Sequence, residues 1–194
     1  MKKLISILIA ICALTLFSGT ALAAEPIDEL TTNMTIPVTI DDVTAVADQL
    51  GEHENDIEMM ASLMWNECRG VPRTCEKAAV PWTVLNRVED DRWPDTIAAV
   101  ITQSGQFAHT GKPSLDSEGD KALYEELRSI AKDVIMRWLF EKQGIESVGR
   151  VLPKEYVFFA GHGGRNWFRT GDGGGRYWMF GLPDPYADDE EEAT

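Results

Sequence analysis

The sequence predicts an α+β domain, mainly α, that closes on a small C-terminal antiparallel sheet or hairpin. Three observations carry this. Apolar residues recur at helical spacing over 56–69, 74–88 and 120–142. After residue 150 the pattern changes, and Tyr156-Val157-Phe158-Phe159 reads as a strand. Asn166-Trp167-Phe168-Arg169 and Arg176-Tyr177-Trp178-Met179-Phe180 then flank the glycine-rich tip Thr170-Gly171-Asp172-Gly173-Gly174-Gly175, a hairpin signal.

In chain order, Lys2 and Lys3 precede an apolar run over 4–17, and Ala21-Leu22-Ala23 follows. This is the pattern of an export signal over 1–23, cut after Ala23. The run is too short and too polar at its end for a transmembrane anchor, and no later stretch could span a membrane. Residues 24–56 are acidic and weakly patterned, and read as an arm or linker. Within it 35–40 could be a short strand and 42–50 a short helix. The domain proper is expected over 57–182.

The first domain helix, 56–69, buries Ile57, Met60, Ala61, Met64 and Cys68 and is stopped by Gly70 and Pro72. The second runs from Thr74, a cap candidate, to Val88 around Ala78, Ala79, Trp82 and Leu85. Pro81 should kink it or mark its true start. A short helix over 96–101 starts at Asp95 or Thr96. The long helix, 120–142, carries a stripe of Ala122, Leu123, Leu127, Ile130, Ala131, Val134, Ile135, Trp138 and Leu139, and is a packing element. Residues 183–194 form an acidic tail expected to be disordered. The glycine cluster at 171–175 is no phosphate cradle: it lacks the strand–loop–helix context and the terminal Lys-Ser/Thr.

Charge narrows the function. The chain has 194 residues and a net charge of −14, made more negative by loss of Lys2 and Lys3 with the leader. Such a balance excludes a nucleic-acid binder. After cleavage only Cys68 and Cys75 remain. In an exported chain they suggest one disulfide closing the loop directly after Glu67, with two buried thiols as the alternative.

The residue with the most chemical promise is Glu67. At about 100° per residue it falls on the flank of the apolar face, beside Met60 and Leu63. It also lies in the last helical turn, where the helix dipole opposes a negative charge. Both features favour its protonated form, as a general acid requires. The plain alternative is a helix-end glutamate turned to water or paired with Arg69 or Arg73. Gln106 and Phe107 set an amide beside an aromatic ring, a pairing suited to sugars, or else a turn and a core residue. Asn86 and Arg87, near the second helix's end, suit ordinary capping and pairing.

Taken together, Trp65-Asn66-Glu67-Cys68-Arg69-Gly70, Val84-Leu85-Asn86-Arg87-Val88, Trp93-Pro94-Asp95-Thr96-Ile97 and Gln106-Phe107 resemble the cell wall hydrolase family of spore cortex-lytic enzymes. The resemblance spans about residues 57–180 and is closest over 57–107. The family usually ends on a strand with a His near aromatic residues. Here Tyr177-Trp178-Met179-Phe180 stands in that place, without a His. The resemblance implies a lysozyme-like domain and an exported enzyme acting on peptidoglycan glycan strands. It implies Glu67 as catalytic acid, with Gln106 and Phe107 lining the groove and Asn86, Arg87 and Tyr156 as further substrate-binding candidates. It implies no cofactor and no metal, and an accessory or inhibitor protein is left open.

Glycoside hydrolysis of the usual kind needs a second carboxylate, about 5 Å away for retention or about 6.5–9.5 Å for inversion. Asp90, Asp91, Asp95 and Asp116 are available but stand in no special setting. One good acid favours lytic transglycosylation, in which the muramic acid 6-hydroxyl closes an anhydro ring. Peptidoglycan is anionic, so some of Arg69, Arg73, Lys77, Arg87 and Arg92 are expected along the groove. Three other readings remain open. A zinc amidase on the peptide stem has only His53, His109 and His162 to draw on. A cysteine peptidase would need Cys68 or Cys75 with a His. A non-catalytic peptidoglycan-binding module would keep the groove alone.

Overall fold

The computed structural model describes residues 38–107, 113–162 and 164–187. Among these, five helices precede three strands. They are α1 Ile40–Glu52, α2 Glu54–Cys68, α3 Thr74–Val88, α4 Ile97–Thr102, α5 Glu118–Lys142, β1 Phe158–His162, β2 Arg165–Gly171 and β3 Gly174–Tyr177. The fold is mainly α with one antiparallel sheet in the order β1-β2-β3.

The centre of the molecule is α3, in which every residue from Cys75 to Arg87 is buried. Its own residues explain the position. Ala78, Ala79, Val80, Trp82, Val84 and Leu85 present apolar surface on all sides, and a helix apolar all round belongs inside a core. Trp82 is fully enclosed, and cutting it to Ala would cost about 3–5 kcal/mol. The helix continues through Pro81 and begins at Thr74, with Arg73 rather than Thr74 as the cap residue.

Helix α2 packs on α3 and α5 with Ile57, Met60, Ala61, Leu63, Met64, Trp65 and Cys68 inward. Polar fasteners on its flank reach α5. Arg128 pairs with Glu54 and Glu58, and the Ser62 and Tyr124 hydroxyls lie 3.1 Å apart. A reciprocal Ser117–Asp120 capping box starts α5. Its stripe is buried as expected from Leu127 to Leu139, but Ala122 is exposed and Tyr124 takes the buried place in that turn. Thr96 caps α4 by accepting from the Ala99 amide.

Two boundaries differ from the sequence reading. The short helix expected over 42–50 is present from Ile40 to Glu52, and its Val46 reaches the core, so this part of the expected arm packs with the domain. Thr39 and Asp42 form a capping box that starts this helix. At the other end Tyr186 is buried, and its hydroxyl donates to Asp133 at 2.7 Å. The ordered fold thus runs past residue 182, because one aromatic ring finds a seat against α5. The expected leader at 1–23, residues 35–37 of the strand expected over 35–40 and the acidic end at 188–194 lie outside the described residues; the rest of that stretch is no strand, since Thr39 caps α1 and Ile40 opens it.

The sheet positions the site. In β1 and β2 the pairs Phe159↔Phe168 and Gly161↔Asn166 share the inner face, where Asn166 and Phe168 are buried. The pairs Ala160↔Trp167 and His162↔Arg165 lie on the opposite, solvent-facing side. The start of β3 needs glycine at 175. Its φ is +87°, and a Cβ there would sit 2.6 Å from Thr170 Oγ1 and 2.8 Å from the Gly171 amide.

Candidate active site

A cleft of about 410 Å³ opens between the C-terminal end of α2 and the turn of β1 and β2. Asn66, Glu67, Cys68, Arg69, Gly70 and Val71 form one wall, and Gly161, His162, Gly164, Arg165 and Asn166 the other. Glu67 is half-buried in it. Helix α2 delivers Glu67 because Met64 and Cys68, on either side of it in sequence, are pinned in the core. Asn166 ties the walls together by donating to the Glu67 carbonyl at 3.3 Å. That carbonyl lies in the last turn of α2, where backbone acceptors run out of helical partners.

Each wall of the cleft carries one arginine, Arg69 on one and Arg165 on the other. Arg69 donates to the Trp65 carbonyl at 2.9 Å and lies 5.5 Å from the Trp65 ring centre. On the facing wall Arg165 donates to the buried Glu76 carboxylate at 2.9 Å. Arg73 approaches the same carboxylate at 3.7 Å. Of the five basic residues expected along the groove, Arg69 alone lines it. Lys77 is buried on Glu126 at 2.6 Å, Arg92 pairs with Asp90 at the surface, and Arg73 turns toward Phe180 and Asp184.

Three expected substrate-binding residues belong to the interior instead. Asn86 donates to the Pro153 and Tyr156 carbonyls at 2.8 and 3.0 Å and accepts from Arg150 at 2.6 Å. Arg87 donates to the Val157 carbonyl at 2.7 Å. Its guanidinium is boxed by Trp93, Phe107 and Phe158, at 4.1, 5.0 and 5.8 Å from their ring centres. Burial lowers its pKa to about 10. Tyr156 is buried against Trp178. All three shape the segment that leads into β1, and none lines the cleft. Phe107 packs on Phe159 with ring centres 6.1 Å apart, and Gln106 is half-buried beside it. This pair also lies apart from the residues lining the cleft.

The disulfide expected after Glu67 is not formed. Cys68 and Cys75 both stand as buried thiols. Each faces the core from its own helix, so packing holds the loop between α2 and α3 without a bridge. Burial pushes the Cys68 thiol up to about 12, which removes its nucleophilic form. Among the described residues no group of three or more His, Cys, Asp and Glu side chains is placed to hold a metal ion. His109 lies outside the described residues.

The sequence reading missed His162, Arg165 and Asn166. The strand expected over 156–159 starts two residues later and continues through His162 as β1. The signal that could have found them is the alternation of 165–169, where a buried Asn sits between exposed Arg and Trp.

Comparison with known proteins places the fold in context. Residues 74–169 match the family described as cell wall hydrolase. Glu67 and the α2 wall of the cleft precede that span, while the β1–β2 wall lies within it. A curated relative, a spore cortex-lytic enzyme of Oceanobacillus iheyensis, is 33% identical over 89 residues. The match covers 45% of this chain and 30% of the relative, so the chain spans about a third of that protein's length. No solved structure matches. The chain belongs, through residues 74–169, to the cell wall hydrolase family.

Proposed function

We propose that this chain is an exported peptidoglycan-degrading enzyme that cleaves the bond between N-acetylmuramic acid and N-acetylglucosamine, with Glu67 as general acid and base. One observation carries the reading. The half-buried carboxylate of Glu67 lines a cleft whose other wall falls in the segment shared with cell wall hydrolases. A relative named as a spore cortex-lytic enzyme agrees with this reading.

The chemistry follows from what the cleft holds. Cleavage requires a proton on the leaving oxygen while positive charge grows on the sugar ring. Glu67 gives that proton. Among the described residues lining the cleft it is the one carboxylate, whereas Asp90 is occupied by Arg92 on the surface. Glu67 then withdraws a proton from the muramic acid 6-hydroxyl, whose oxygen closes on the anomeric carbon. The products are a 1,6-anhydromuramic acid end and a free N-acetylglucosamine end. On this reading the domain is lysozyme-like in architecture, and Arg69 and Arg165 favour the carboxylates borne by the strand.

Mass spectrometry of digested peptidoglycan tests the mechanism. Anhydro ends are expected from the native chain and none from Glu67→Gln. Reducing muramic acid ends would mean water as the acceptor. Release of free stem peptides with intact strands would favour an amidase or peptidase instead.

A further inference from the structure

The solvent-facing side of the sheet carries a row of side chains that the cleavage chemistry does not use. Trp167 is 40% exposed and Tyr177 49% exposed. Their rings meet nearly edge to face, 87° apart in plane with centres 6.3 Å apart. On the other side of Trp167 along the strand, the Arg165 guanidinium lies 5.5 Å from the indole centre. The cross-strand neighbour of Trp167 is Ala160, exposed and too small to cover an indole. The register therefore leaves a large ring uncovered and fixes its orientation from two sides.

Two features say what covers it. The row is continuous with the cleft: Arg165 and Asn166 line the cleft, and Trp167 is the next residue outward on the same strand as Arg165, about 7 Å away along β2. The row also ends in a guanidinium that is held in place but half exposed. Arg165 pairs with the buried Glu76 yet keeps about half of its side chain in solvent, whereas Arg169 pairs with Asp172 and Arg176 with Glu155. An aromatic face beside a guanidinium matches a pyranose that presents an apolar C–H face and carries a carboxylate.

We propose that the solvent-facing side of β2 and β3 is an outer binding site for an acidic glycan strand, with a sugar ring against Trp167 and Tyr177 and its pendent carboxylate on Arg165. This deepens the function proposed above and rests on it for the choice of a glycan. Glu76 acts as a positioning residue: its buried carboxylate holds Arg165 at 2.9 Å with the arginine half in solvent. The row would keep the strand engaged next to the cleft while Glu67 acts on one bond.

The test is a binding measurement on the full-length mature chain carrying Glu67→Gln, so that turnover does not intervene. The probes are short strands of alternating N-acetylglucosamine and N-acetylmuramic acid bearing free carboxylates, and the same strands with carboxylates amidated. Trp167→Ala is expected to weaken binding of the acidic strands about tenfold, and Tyr177→Ala to weaken it less, with unchanged melting temperature. Amidation of the strands is expected to weaken binding to the unsubstituted surface and to abolish its salt dependence. Tyr177→Ala, at an exposed position, serves as the second variant should Trp167→Ala fold poorly. Affinity untouched by both substitutions, affinity equal for acidic and amidated strands, or no binding at all would overturn the site. Trp167-dependent binding in a chain whose native form releases no glycan would support the site and overturn the glycosidase reading. Normal cleavage with affinity indifferent to Trp167 and Tyr177 would do the reverse.

Discussion

At the scale of single residues, the thiols and the amide beside Glu67 make the sharpest expectations. Cys68 is buried with its pKa pushed up to about 12, so it stays protonated and shielded at neutral pH. An alkylating probe should leave Cys68 unmodified in the folded chain and label both Cys68 and Cys75 after denaturation without reductant. A missing pair of thiols in the denatured chain would restore the bridge. Asn166 holds the Glu67 carbonyl; its replacement by Ala should cost about 1 kcal/mol of stability. As a positioning residue it should lower kcat more than it raises KM. An equal effect on both would mark it as structural only. The position of Glu67 in the last turn of α2 was legible from sequence because a helix stop and an apolar face fix it locally. Asn86 and Arg87 were misread because their partners, Pro153 to Val157, lie some 70 residues downstream, and no local pattern announces such a bond. Cys68 and Cys75 were misread for a related reason: spacing suggests a bridge, whereas the direction of each side chain decides it.

At the scale of elements, the C-terminal end of α3 is fastened to α5 and to the segment before β1 through Glu89. The Trp138 indole donates to it at 2.7 Å, and Lys154 pairs with it at 3.0 Å. Burial alone would raise the Glu89 pKa, but these partners outweigh burial and lower it from its ordinary value of 4.5. The sign follows by linkage. The unfolded carboxylate takes up its proton near 4.5, the folded one only at lower pH. Stability from this group is therefore complete above about pH 4.5 and is lost as pH falls through the folded value. Glu89→Gln should destabilise the fold by about 1 kcal/mol at pH 7, and the difference in unfolding free energy should shrink below pH 4. A difference that stays constant with pH would show that charge is not what Glu89 contributes. Helices α2, α3, α4 and α5 were readable because their apolar periods are long or their caps plain. Helix α1 was only half readable, since Val46 is its one fully buried residue and so the pattern is faint. The hairpin was readable from its glycine tip, but the end of β1 was hidden by Gly161 and Gly163, whose composition signals a turn.

At the scale of the whole molecule, burial and charge divide the work. Helix α3 and its surrounding elements make the core, and the sheet closes over the end of α2 to form the cleft. Arg69 and Arg165 stand on the two walls of the cleft in a chain of net charge −14. Among the described residues no helix is long and apolar enough to cross a membrane. The proposed activity asks one thing of this arrangement, that Glu67 hand a proton to a glycosidic oxygen. The direct measurement is the rate of glycan release from purified peptidoglycan by the native chain and by Glu67→Gln of equal melting temperature. A fall of at least about a hundredfold is expected, the loss of a general acid. Release at the native rate by the Gln variant would contradict that role for Glu67.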